Sequence, residues 1–194
     1  VKKVSQVEAL FAGFHIVGFG HPDLYPLNLL AVILSGSKAS RFHQDFVRQG
    51  KAIALDVELA PVPFSAQDPD LLVIAAVATP GQSLAELEQE LWAALDRLQQ
   101  DGVTPAELAR AKKLLRSQGV RSLAHNFFRG LLVGLCHLKA GEAQLANQVL
   151  SSLEAVTAAD ILRVARTYLR ADNRTVVVLQ PVTPEESETL GPLA

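Results

Sequence analysis

The stretch Ser35–Val57, SGSKASRFHQDFVRQGKAIALDV, changes character twice. It opens on small residues that suit a turn. Ser40 is then a candidate N-cap for a short helix whose apolar side is Phe42, Phe46 and Val47. Gly50 is a natural stop, and AIALDVELA from Ala52 has the β-branched and alternating pattern of a strand. Two arginines sit in the helical part. Arg48 falls at its C-terminal end, where a cation is favoured by the helix dipole and could also grip a ligand. Arg41 falls in the first turn, where the dipole does not favour it, so it is expected to pair with a carboxylate or to reach a neighbouring element.

Upstream, VEALFAGFHIVGFG (Val7–Gly20) alternates and ends in glycine, which predicts a strand. A helix is predicted from Pro26, with Leu27, Leu30, Ile33 and Leu34 on one face and Ser35-Gly36 as its end. Downstream of AIALDVELA, a loop with Pro61, Pro63 and Pro69 leads to DLLVIAAVATP, a strand that is most simply antiparallel to AIALDVELA. Helices then dominate. Ser83 with Glu86 spells a capping box before a Leu84, Leu87, Leu91, Leu95, Leu98 stripe that ends at Asp101-Gly102. Thr104-Pro105-Ala106-Glu107 opens the next helix, a further helical region covers about Ser122–Ala140, and Thr157 with Asp160 starts another. RTVVVLQP (Arg174–Pro181) closes as a strand. The order β-α-α-β-β, several helices, β predicts an α+β fold: an antiparallel sheet with helices packed on one face. Residues 1–181 are expected to form one unit and residues 182–194, polar in composition, a flexible tail.

The totals fit that picture and remove some functions. Of 194 residues 49% are hydrophobic and 20% charged, the balance of a soluble globular chain. A net charge of -2 gives no basic face, so nucleic acid is not an expected partner. The longest apolar run, LLVIAAVA, is too short to span a bilayer. The opening residues lack the charge and hydrophobicity pattern of a signal peptide, which leaves the compartment open. With no methionine even at its start, the chain is expected to be a piece of something longer. The single cysteine, Cys136, excludes an internal disulfide and is expected to be a buried small hydrophobe.

Catalytic motifs are missing. The five histidines, His15, His21, His43, His125 and His137, include no pair at the spacing of H-E-x-x-H or H-x-x-E-H. There is no nucleophile elbow and no phosphate-binding loop. The glycines of GFHIVGFG are not in dinucleotide-fingerprint spacing and are expected to be strand glycines or sites of close backbone approach. No catalytic residue and no metal ligand is predicted in this chain.

Three segments in order carry a resemblance. HPDLYPLNLLAVILSGSKASRFHQDFVRQGKAIALDV, DGVTPAELARAKKLL and LEAVTAADILRVARTYLRADNRTVVVLQP resemble, in turn, three signature segments of pitrilysin-like and mitochondrial-processing-peptidase-like zinc metallopeptidases. In those proteins two homologous α+β halves enclose a peptide-binding chamber. One half carries zinc on H-x-x-E-H. Lacking that motif, this chain resembles the carboxy-terminal, non-zinc half.

The resemblance implies that the chain needs no cofactor of its own, that zinc resides in a homologous partner half or subunit, and that a peptide is the substrate. It also implies an arginine at the end of the short helix and a tyrosine seven residues later, both touching the peptide. The matching positions are Arg48 and Leu55. Arg48 is therefore the candidate substrate-binding residue, and the phenol expected beside it is absent. A peptidase-derived scaffold without chemistry is the alternative that Leu55 favours. Either way, the chain alone is expected to be inactive.

Overall fold

The computed structural model describes residues 2–4, 7–62 and 64–182. Five strands form one sheet: β1 (Lys2–Val4), β2 (Ala9–Ile16), β3 (Ala52–Glu58), β4 (Asp70–Ala78) and β5 (Arg174–Val182), in the order β1-β5-β2-β4-β3. The four longer strands are antiparallel, as expected. β2 lies at the centre, with Phe11 opposite both Ala75 of β4 and Val177 of β5. The three-residue β1 was not anticipated, and it runs parallel to β5. Most of the polar tail, residues 183–194, lies outside the described residues.

Alternation divides the two faces of the sheet. Leu10, Ala12, Phe14 and Ile16 of β2 point the same way as Leu72, Ile74, Ala76 and Ala78 of β4, and all are buried. Over them lie α1 (Leu24–Ser35), α2 (Leu84–Asp101) and α6 (Ala158–Tyr168). Each large aliphatic side chain so enclosed contributes about 1.5–3 kcal/mol. No helix among the described residues covers the opposite face, where Phe11, Leu71 and Val177 are each more than two-fifths exposed. At the edge, β3 carries a bulge: Ala52 pairs with Ala78, and Ala54 already pairs with Val77. The extra residue, Ile53, is exposed.

The helical layer has two tiers. α1 is apolar nearly all round because it is sandwiched between the sheet on one side and α3 (Pro105–Leu123), α5 (Val149–Ala155) and α6 on others. It starts at Leu24, two residues before the expected Pro26, which occupies the first turn where its missing N–H costs nothing. α2 buries the five predicted leucines and stops at Gly102, whose φ of 72° favours glycine. α3 and α6 open with reciprocal capping boxes, Thr104 with Glu107 and Thr157 with Asp160. At α2 only half of the box forms: Ser83 accepts from the Glu86 N–H and nothing returns.

α4 (Asn126–Ala140) begins later than the predicted Ser122, since α3 continues to Leu123 before the chain turns. A 3₁₀ turn at Ala143–Asn147 and α5 fill a region where no element was predicted. A second, smaller core joins Leu132 and Cys136 of α4 to Val149. Cys136 is fully buried, as expected, and burial pushes its thiol pKa up, which keeps it protonated and unreactive. No helix among the described residues is long and apolar enough to cross a membrane.

Candidate functional site

The turn after α1 is built by serines. The Ser40 hydroxyl donates to the Val32 carbonyl at 3.1 Å and accepts from the Ser37 N–H at 2.9 Å. Ser40 thus closes the end of α1 instead of capping the next helix. The short helix then winds as a π turn over His43–Val47, with the Arg48 N–H donating to the His43 carbonyl at 2.8 Å. Phe42 and Phe46 anchor the turn in the core, their rings edge to face at 5.8 Å between centroids.

Arg41 points away from the π turn to the start of α3. Its Nε and one terminal nitrogen donate to the two carboxylate oxygens of Glu107 at 2.6 and 2.9 Å, and the same terminal nitrogen donates to the Gly102 carbonyl at 2.9 Å. Glu107 also accepts from the Thr104 N–H and hydroxyl, both at 2.8 Å. Arg41 above all, aided by Thr104, outweighs burial and holds the Glu107 carboxyl pKa down at about 2. The expected carboxylate partner for Arg41 is therefore Glu107, and two of the signature segments meet in this one bidentate pair.

Arg48 is different. Its side chain is exposed, and among the described residues its guanidinium donates one hydrogen bond, to the side-chain Oε1 of Gln44 at 2.9 Å, on its own helical turn. The remaining guanidinium donors face solvent and can take a carbonyl or carboxylate. Leu55 is not beside it on an exposed surface. It lies in the buried core beneath the helices, only 3% exposed and opposite Ala76. The neighbouring Ala54 and Asp56 project from the uncovered face instead.

A second polar cluster escaped the sequence because its members are far apart. Asp23, at the start of α1, is 6% exposed and accepts from both terminal nitrogens of Arg163, at 2.7 and 3.1 Å, and from the Tyr168 hydroxyl at 2.8 Å. Its backbone N–H donates to His21 Nδ1 at 3.1 Å. The Arg163 hydrogen bonds, with a smaller contribution from Tyr168, overcome burial and keep the Asp23 carboxyl below its usual range. Burial and the Asp23 carboxylate push the Tyr168 phenol up to about 12. Every strong group in the cluster is paired, so it fastens α6 to α1 and leaves no phenol to face a ligand. The only sequence signal was a charged HPD at a helix start.

The histidines stay apart. His15 is exposed on β2, His125 precedes α4 against Phe128, and His137 is exposed in the last turn of α4. Among the described residues no group of three or more His, Cys, Asp or Glu is arranged to hold a metal ion. The described residues therefore offer no donor set that fits zinc.

The profile described as "Peptidase M16 inactive domain" matches residues 1–115. The uncharacterized zinc protease YmxG of Bacillus subtilis is 28% identical over 171 residues, which is 88% of this chain and 41% of that protein. The uncharacterized zinc protease Rv2782c of Mycobacterium tuberculosis is 29% identical over 157 residues, covering 81% of this chain and 35% of that one. The chain thus spans about two-fifths or less of the curated relatives it matches. Among solved structures, a protease from Helicobacter pylori superposes with a TM-score of 0.84 at 22% identity, over 93% of this chain and 43% of the other. An inactive peptidase domain from Bordetella parapertussis superposes at 0.79 and 22% identity, over 94% and 95% of the two chains. An α+β sheet covered by helices on one face, without a metal donor set among the described residues and with this profile match, makes the chain a member of the peptidase M16 inactive-domain family.

Proposed function

We propose that residues 1–181 act as one unit, the non-zinc half of a peptide-binding chamber, and that a homologous zinc-bearing half or subunit supplies the metal and the chemistry. The observation that carries this reading is the family match to relatives that are named zinc proteases and are more than twice as long. Arg48 is the peptide contact of this half. Its guanidinium is exposed and only lightly engaged, so it can bind a carbonyl or carboxylate without breaking any tertiary contact. A peptide contact of this kind stabilises a bound extended chain and leaves bond cleavage to the other half.

The test mixes this chain with the zinc-bearing half of its own protein and follows zinc-dependent cleavage of an unstructured fluorogenic peptide. Arg48→Ala is expected to raise KM by about 3- to 10-fold, as loss of one solvent-exposed hydrogen bond with a net value of about 1 kcal/mol implies, with kcat and folding stability little changed. Unchanged KM and kcat would remove Arg48 from the peptide site. One observation favours the scaffold alternative. With Leu55 buried, neither residue identity nor side-chain direction puts a phenol next to Arg48. Assembly of the two halves without any cleavage would establish that alternative.

A further inference from the structure

The outer helical tier borders an open-sided cavity of about 600 Å³, well inside the size range of small-molecule sites. It lies between α3, α4, α5 and the loop after β3, and Arg48 is not among its lining residues. Leu115, Leu132, Val149 and Leu153 form much of its wall, and the aromatic rings of Phe64 and Phe128 stand partly exposed at its edge. Gly119 sits inside α3, where glycine costs about 1 kcal/mol relative to alanine. A Cβ there would come within 2.9 Å of Leu150 Cδ2, so the glycine lets α3 and α5 approach closely along this wall.

Two features define what would fit. The first is charge: among the described residues no Asp, Glu, Lys, Arg or His lines the cavity. An ion placed there would lose its hydration and meet no counter-charge. The second is a single deep acceptor. Asn28 lines the cavity and is 7% exposed. Its amide nitrogen donates to the Leu24 carbonyl at 2.8 Å, which fixes the orientation of the amide, and its carbonyl oxygen has no hydrogen-bond partner among the described residues. The other polar groups of the lining, Gln118, Ser122 and Asn147, are exposed at the rim.

From these features we infer that the cavity is a binding site for an uncharged lipophilic molecule carrying one hydroxyl or N–H donor, with that donor on Asn28 and the apolar body between α3, α4 and α5. Its occupant would also link α4, which has few contacts with the main core, to the rest of the fold.

N-phenyl-1-naphthylamine is a suitable probe, being neutral with one N–H. Its sulfonated relative 8-anilinonaphthalene-1-sulfonate has a similar aromatic body and a negative charge. The neutral dye is expected to bind one per chain with Kd on the order of 1–10 μM, to be displaced by dodecanol, and to bind at least about tenfold tighter than the sulfonate. Ala146→Trp, which fills the space, should weaken it at least about tenfold, and Asn28→Leu about 2- to 10-fold. Circular dichroism verifies that each variant is folded, and Ser122→Phe replaces Ala146→Trp if that variant is not. Leu138→Ser, on an exposed position outside the lining, should change nothing. Equal binding of both dyes, or binding insensitive to the cavity-filling variants, would overturn the assignment. So would a dimer in sedimentation that Ala146→Trp dissociates, because the cavity would then seat a second copy.

Discussion

Replacing Glu107 by glutamine tests whether the Arg41–Glu107 pair ties the turn after α1 to α3. Glutamine keeps the shape and one acceptor, and removes the charge. A carboxyl pKa of about 2 in the folded chain, against 4.5 for the free side chain, sets a ceiling of about 3 kcal/mol at roughly 1.4 kcal/mol per unit. The carboxylate side chain is 18% exposed and the guanidinium 26%, so solvent screening reduces this to about 2 kcal/mol. Because the folded-state pKa is depressed, the stabilisation is complete above pH 5 and fades as pH falls from about 4.5 toward 2. Urea unfolding of wild type and Glu107→Gln, followed by circular dichroism at several pH values, measures the difference directly. The variant should be about 2 kcal/mol less stable at pH 7, with roughly a quarter of that gap left at pH 2.5. Asp23 and Asp160 are also depressed, but both proteins carry them, so their contributions cancel in the difference. A gap that is the same at both pH values, or smaller than about 0.5 kcal/mol at pH 7, would refute the reasoning.

Two further outcomes follow from the packing. Tyr168→Phe removes the hydroxyl bond to Asp23 and should cost about 1–2 kcal/mol at neutral pH in urea unfolding. Since the phenol is raised to about 12, wild type should lose stability between pH 10 and 12, and the Phe variant should lose less of it. Gly18→Ala would place a Cβ 2.3 Å from the Gln67 carbonyl oxygen and 2.4 Å from that of Asp68. Backbone must move to accept it, so thermal unfolding should register a loss of about 2 kcal/mol or more, whereas the same change at Gly130, with open space around it, should be neutral or slightly stabilising.

Legibility in the sequence followed locality. Cap residues act within one turn, so the starts of α3 and α6, the end of α2 and its leucine stripe could be read from neighbouring letters. The glycines of GFHIVGFG left two readings open, strand glycine or close backbone approach, and only folding singles out Gly18 as the one against backbone. The need of Arg41 for a carboxylate was legible from its poor place in the helix, but Glu107 lies 66 residues on and only folding brings it near. Asp23, Arg163 and Tyr168 are separated by up to 145 residues and were invisible for the same reason. Ser40 was misassigned because a serine hydroxyl can serve the helix before it as well as the one after, and here Val32 and Ser37 claim it. α5 lacks a side-chain cap, so it had no start signal to read. β1 is three residues long and depends on pairing with β5, a partner at the far end of the chain.

The bulge at Ile53 has a consequence for counting. In a regular strand, Ala52 and Leu55 would lie on opposite faces, being an odd number of residues apart. Both are buried, because the inserted residue changes parity between them. Distance along the chain from Arg48 therefore says nothing about which face is reached unless the bulge is included. Seven residues on lies Leu55, inside; six and eight residues on lie Ala54 and Asp56, outside. A designer wishing to place a hydroxyl on the uncovered side near this turn would get a disrupted core from Leu55→Tyr and should start at position 54 or 56.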